Sequence, residues 1–469
     1  MRTISSCAVR FCLTVLAAAL TGCALSPHYE RPKAPVPDTW PTLTATALTA
    51  SLDWRDFVAD HQLRTLVTSA LENNRDLRQT LLNIEVVRAQ YRIQRADRLP
   101  GIGVQGSGTR QRTPADVSAT GASTVTQNVQ VGVGLAAFEL DLFGRVSSLT
   151  EAARQEYLAT AEAGNSARLV LVTEVIQAYL NHDGAQQRLH VTHQTLKARE
   201  ASLALISQRH QHGAASALDQ SEAQALQEEA RASLERNRRE VGQAANALRL
   251  LVGDDRQVAA LPSSPVNGQL LVQDIVPGLP SDLLVRRPDI VAAEHQLLAR
   301  NADIGAARAA FFPRITLTGF VGSSSTELSR LFDGDQSAWS FAPQLVLPIF
   351  DGGRNRANLD LSNVRKDIAV ARYEGVVQAA FRDVADALVA TETLQREEAS
   401  RQSLVLTSGE GLRLSEARYR GGVDNHLRYL EAQRANYANQ LALIEVATQR
   451  QVALANLFKA LGGAWARPS

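Results

Sequence analysis

The chain is short of cysteine, of aromatic residues and of long apolar runs, and each shortage excludes something. Only three cysteines, at positions 7, 12 and 23, occur in 469 residues. Cys7 and Cys12 fall within a secretory-signal layout: Arg2 and Arg10, the apolar run Phe11–Leu20, then Thr21 and Gly22. Removal of that signal leaves Cys23 alone, so no intrachain disulfide can form even in an oxidising compartment. Aromatic residues make up 5% of the chain and alanine is abundant, which favours close-packed helices over a bulky core. No later stretch has the ~20 uninterrupted apolar residues of a transmembrane helix, so any membrane crossing has to be made by strands in a closed barrel. A net charge of +1 gives no electrostatic footprint for nucleic acid, and no such partner is expected.

Catalytic signals are lacking too. Gly101, Gly103 and Gly106 fit G-x-G-x-x-G, but a helix precedes them and a strand follows, the reverse of a dinucleotide fingerprint. His190 with His193, and His210 with His212, have no cysteine or ordered carboxylates to complete a metal site. No nucleophile elbow, P-loop or metalloprotease helix occurs. The expectation is a non-enzyme without catalytic residues, bound metal or dissociable cofactor.

What is there is a long internal repeat. Gly144-Arg145 matches Gly353-Arg354, Gly213 matches Gly422, Glu222-Ala223-Gln224 matches Glu431-Ala432-Gln433, and Gly253 matches Gly462, each pair 209 positions apart. Each copy opens with a helical pattern. The first runs from His61 to Arg98 with Leu77, Leu81, Ile84 and Arg88 in step; the second lies between Pro288 and Pro313. Two strand-like runs follow in each copy, "GIGVQGSG" and "TQNVQVGVGLAAFELDLF", then "RITLTGFVG" and "WSFAPQLVLPIF". Val129, Val131, Val133 and Leu135 share one face of the second run, and these lengths suit tilted bilayer strands. Long helical patterns come next, 146–211 and 355–420, marked by Leu169, Val172, Ile176, Leu180 and by Val377, Phe381, Val384, Leu388. Each turns through a glycine into a return helix, 217–252 or 427–461. Helices this long imply coiled-coil packing. Four strands cannot close a barrel alone; three chains related by cyclic symmetry supply twelve.

"LTGC", Leu20 to Cys23, directly after the apolar run, resembles the bacterial lipobox, which implies N-palmitoyl and S-diacylglycerol groups on Cys23; Ala24 implies outer-membrane sorting. The divisions are a signal peptide 1–22, a lipidated Pro-rich tether 23–59, repeat one 60–253, a connector in the equatorial region 254–281, repeat two 282–463 and a tail 464–469.

The stretch "DLLVRRPDIVAAEHQLLARNADIGAARAAFFPRITLTG", the "LDLFGR" junction and "RYRGGVDNHLRYLEAQ" resemble the outer membrane efflux proteins, the TolC/NodT-type outer membrane factors, in their lipoprotein branch. The resemblance covers nearly all of the mature chain. It implies an α+β membrane protein: a tandem-duplicated protomer of a trimeric twelve-stranded β-barrel continued by a periplasmic α-helical barrel. It also implies a homotrimer set in outer-membrane lipid, working with a periplasmic adaptor (membrane fusion) protein and an inner-membrane pump of the resistance-nodulation-division type. By position, Tyr419, Leu427 and Glu431 match a constriction in the second turn, and Asp219 matches its acidic partner in the first. Asp424 stands where some relatives carry a basic gate residue, with Arg420 and Arg428 nearby, so no particular gate ion pair is carried over. His212, Gly213, Arg420, Gly421 and Gly422 are the expected adaptor-contacting tips. The second tip, with His426, Arg428 and Tyr429 where the first has Ala217, Asp219 and Gln220, is the better gate candidate.

The function implied is an exit duct for solutes delivered by the pump, with cargo chosen by pump and adaptor. The rival reading is a lipid-anchored coiled-coil periplasmic scaffold that does not conduct.

Overall fold

The computed structural model describes residues 25–37, 53–262, 268–273, 275 and 283–463. Cys23 lies outside them. In chain order the helices are α1 (Trp54–Phe57), α2 (His61–Asn73), α3 (Arg75–Ala96), α4 (Arg145–Gln211), α5 (Ala217–Val252), α6 (Asp255–Ala259), α7 (Leu283–Arg286), α8 (Pro288–Ala309), α9 (Arg354–Arg420) and α10 (His426–Ala460). The strands are β1 (Ile102–Thr113), β2 (Thr124–Leu140), β3 (Arg314–Ser325) and β4 (Ser337–Val346). Both α4 and α9 are 67 residues long, as a duplication requires. The chain divides into two compact units.

The described residues of one unit are 25–33, 84–161 and 292–373. Its strands form one antiparallel sheet in the order β1-β2-β3-β4, so the hairpins of the two repeats pair through β2 and β3. The register puts Ile102, Val104, Val133, Leu135, Leu317, Val321, Trp339, Phe341 and Leu345 on one face. Gln105, Ser107, Gln130, Thr318, Ser340 and Gln344 share the other. A bulge between Leu135 and Phe138, with Ala137 at φ 43°, keeps the pattern in phase. Without it Phe138 would pass to the polar face, because one inserted residue inverts the alternation. On that polar face Phe320 lies across Gly132 and Gly322, where an added Cβ would come within 2.8 and 2.9 Å of its ring. Glycine is required there for the ring to lie flat. β1 continues beyond the strand-like run "GIGVQGSG" through Arg110–Thr113, because these residues pair with Thr124–Gln127.

In the same unit residues 25–31, within the expected tether, are strapped along α8. Arg31 makes a bidentate pair with Glu294 at 2.7 and 2.8 Å, and the Tyr29 hydroxyl donates to the same carboxylate at 3.1 Å. Asn301 donates to the Pro27 carbonyl at 2.8 Å and Arg308 to that of Leu25 at 3.1 Å. Gly305 leaves room for Ser26. Asp141 caps α4 through the Val146 and Ser147 amides, and Asp351 caps α9 through Asn355.

The other unit holds residues 34–83, 162–291 and 374–469. Its core gathers Trp54, Phe57, Leu63 and Leu66 with Val172, Ile176, Leu248, Val252, Leu271, Leu454 and Phe458; Phe57 and Phe458 stack at 4.5 Å. The single helix expected over 61–98 is two. Asn74 is extended (ψ 128°), its side chain accepting from the Leu77 amide and donating to the Leu251 carbonyl, both at 2.9 Å. One residue thus caps the start of α3 and the end of α5, which stabilises the break.

Candidate functional site

The two long helices end in the same way. Gly213 and Gly422 adopt left-handed φ of 74° and 73°. The amides of Ala214 and Val423 reach back to the carbonyls of Arg209 and Arg418, and those of Gly213 and Gly422 to His210 and Tyr419. These are Schellman turns, which need a residue free to take positive φ. Ser216 then caps α5 in a capping box with Asp219, and Asn425 caps α10. Sequence spacing alone places both turns.

The tips differ in their side chains. In the second, Arg418 grips Asp424 through two bonds of 2.7 and 3.0 Å, with Arg428 3.8 Å away, while Arg420 pairs with Glu416 at 2.6 Å. The Arg418 hydrogen bond holds the Asp424 carboxyl below the usual range. Leu427 is 46% exposed, and its counterpart Leu218 in the first tip is 67% exposed. Glu431, His212, Gly213, Arg420, Gly421 and Gly422 are also exposed. Tyr419, expected at the constriction, is 7% exposed and packs inside the chain. It stacks on Tyr429 at 5.7 Å and lies under the Arg209 guanidinium at 4.8 Å.

Asp219 faces His426, with Oδ1 3.8 Å from Nδ1. Glu222 completes a cluster whose potential ligand atoms lie within 4.8 Å of one another. The expectation of no metal-type cluster came from residues near one another in sequence; this one joins the two repeats. No local pattern in the sequence marks Arg418 as the partner of Asp424 or Tyr429 as that of Tyr419.

Farther along the helices Arg199, 2% exposed, donates to the Leu226 carbonyl at 2.7 Å and to Glu229 at 3.2 Å. Its guanidinium lies 5.3 Å from the Tyr437 ring centre. Thr192 joins Tyr437 and Asn237 by bonds of 2.9 and 2.7 Å. α4, α5 and α10 are held together by these buried polar links.

Residues 66–254 and 279–463 match the model of the family described as Outer membrane efflux protein. The chain belongs to the outer membrane efflux protein family. It is similar to outer membrane protein OprJ of Pseudomonas aeruginosa, 59% identical over 454 residues, covering 96% of this chain and 95% of that one. It is also similar to the toluene efflux pump outer membrane protein TtgC of Pseudomonas putida, 44% identical over 460 residues, covering 97% and 95%. Among solved structures, the open state of the Neisseria gonorrhoeae MtrE outer membrane channel superposes with a TM-score of 0.82 at 38% identity, covering 94% and 98%. As an outer membrane efflux protein, this chain forms the outer-membrane channel of an efflux system. Among the described residues no helix is long and apolar enough to cross a membrane.

Proposed function

We propose that three copies of this chain close a twelve-stranded barrel in the outer membrane, with their long helices forming the periplasmic duct. The observation that carries this reading is a sheet with one apolar face and, among the described residues, no partner on the outer edges of β1 and β4. Trp339, Phe341 and Leu345 are exposed on that face. Naked edges and bare apolar faces are liabilities that closure in lipid removes. A scaffold has no use for such a sheet.

The hairpin tips form the periplasmic entrance. Leu427 and Glu431 are one turn apart on the same helix face, so threefold symmetry makes a leucine ring beside a carboxylate ring. The first is a dewetting constriction and the second attracts cations. Tyr419, Asp219, Asp424 and Arg428 hold the tips in place, and His212, Gly213, Arg420, Gly421 and Gly422 meet a periplasmic adaptor that couples the duct to an inner-membrane pump. Acylation of Cys23 adds a lipid anchor.

Planar-bilayer recording tests the reading. The purified protein gives single-channel steps, and Leu427→Ala with Glu431→Ala raises conductance or weakens cation preference. Absence of steps overturns the channel reading; unchanged traces in the double variant remove these residues from the gate.

A further inference from the structure

His426 is anomalous among the tip residues. It is 4% exposed, and both ring nitrogens are buried without a hydrogen-bond partner. Buried polar atoms are satisfied in the great majority of cases, so an unsatisfied imidazole calls for a missing partner. Its Nδ1 lies 3.8 Å from Asp219 Oδ1, too far for a hydrogen bond. The Tyr419 and Tyr429 rings, 5.2 and 6.4 Å away, fix its plane.

We propose that Asp219, Glu222 and His426 bind a divalent first-row transition metal, such as zinc, which ties the two hairpin tips of one chain together. The donors are one imidazole nitrogen and two carboxylate oxygens, a set zinc accepts with water in its fourth position. Tetrahedral bonds of about 2.0–2.2 Å put ligand atoms about 3.3–3.6 Å apart, and here they lie within 4.8 Å of one another. Side-chain shifts of about 1 Å close the site. Asp219 is already oriented to ligate: Oδ2 accepts from the Ser216 amide and hydroxyl, both at 2.8 Å, leaving Oδ1 toward His426. Such outer contacts fix a metal ligand before the ion arrives. The site lies within one chain and does not depend on the gate assignment.

The test uses the full chain, purified in detergent and stripped with chelator. Cobalt(II) is titrated while its visible d–d absorption is followed, and zinc(II) is titrated by calorimetry. The expected result is one ion per chain, with the cobalt bands abolished by zinc. Glu222→Gln and His426→Ala each weaken binding by at least about 100-fold, a ligand being worth more than the 10–100-fold of an outer contact. His193→Ala, at an exposed histidine farther along α4, leaves binding unchanged. Glu222→Gln preserves side-chain shape and decides the matter if His426→Ala disturbs the tip. No stoichiometric binding, or binding that survives both ligand substitutions, overturns the proposal.

Discussion

At the scale of single residues, two arginines with similar partners do different things. Arg199 is buried; one terminal nitrogen donates to the Leu226 carbonyl and the more exposed Glu229, while its Nε has no hydrogen-bond partner. Arg199→Ala removes a charged donor from a buried carbonyl and should lower stability by about 1.5–3 kcal/mol. Glu229→Gln should cost about 0–1 kcal/mol, because water solvates that partner already. Thermal melts of the two variants check the contrast. Arg418 instead sits at an exposed tip and depresses the Asp424 carboxyl. A carboxylate lowered on folding contributes its stabilisation above the unfolded value of about 3.9 and loses it as pH falls through the lower folded value. The clamp is therefore intact from pH 7 to pH 5. Asp424→Asn should leave the pH dependence of conductance over that window unchanged, as recordings at pH 5, 6 and 7 would reveal.

At the scale of elements, the sheet carries the sharpest expectation. Phe341 and Ser340 are neighbours in β4 but face opposite ways. Phe341→Arg should disfavour membrane assembly by about 2–4 kcal/mol if its face meets lipid near the midplane, whereas Ser340→Arg should be tolerated. Trimer yield from outer-membrane fractions measures both. Most elements were legible because their periods are long and regular: the helices 146–211 and 217–252 differ from those observed by a residue at most. The break at Asn74 was not, because Leu77 and Leu81 continue the helical pattern without a glycine or proline to interrupt it. Arg110–Thr113 fall outside the strand-like run read from the sequence because polar residues in a paired strand leave no alternation to detect. The bulge at Ala137 is visible only once β3 lies beside β2. The Asp219–Glu222–His426 cluster escaped for a related reason: its members come from different repeats and meet only through tertiary packing.

At the scale of the whole molecule, duplication explains why the two turns share a backbone and differ in their side chains. Each repeat supplies the same hairpin and helix pair, while the residues at the tips have diverged between copies. The second tip's His426, Arg428 and Tyr429 are the visible result. The proposed lipid belongs to this scale also. Cys23→Ser should abolish incorporation of labelled palmitate while leaving the proposed barrel able to insert, since a closed barrel is held by its own apolar belt. Persistent labelling would remove Cys23 as the acceptor.

The strap sets a length. Leu25 is held by Arg308, near the C-terminal end of α8, just before the chain enters β3. Two residues span at most about 7 Å, so the acyl group proposed for Cys23 would have almost no slack. It would act as a depth gauge, fixing how far the start of β3 stands from the membrane surface rather than merely keeping the protein from drifting away. Lengthening the segment between Cys23 and Leu25 would free the lipid without detaching it.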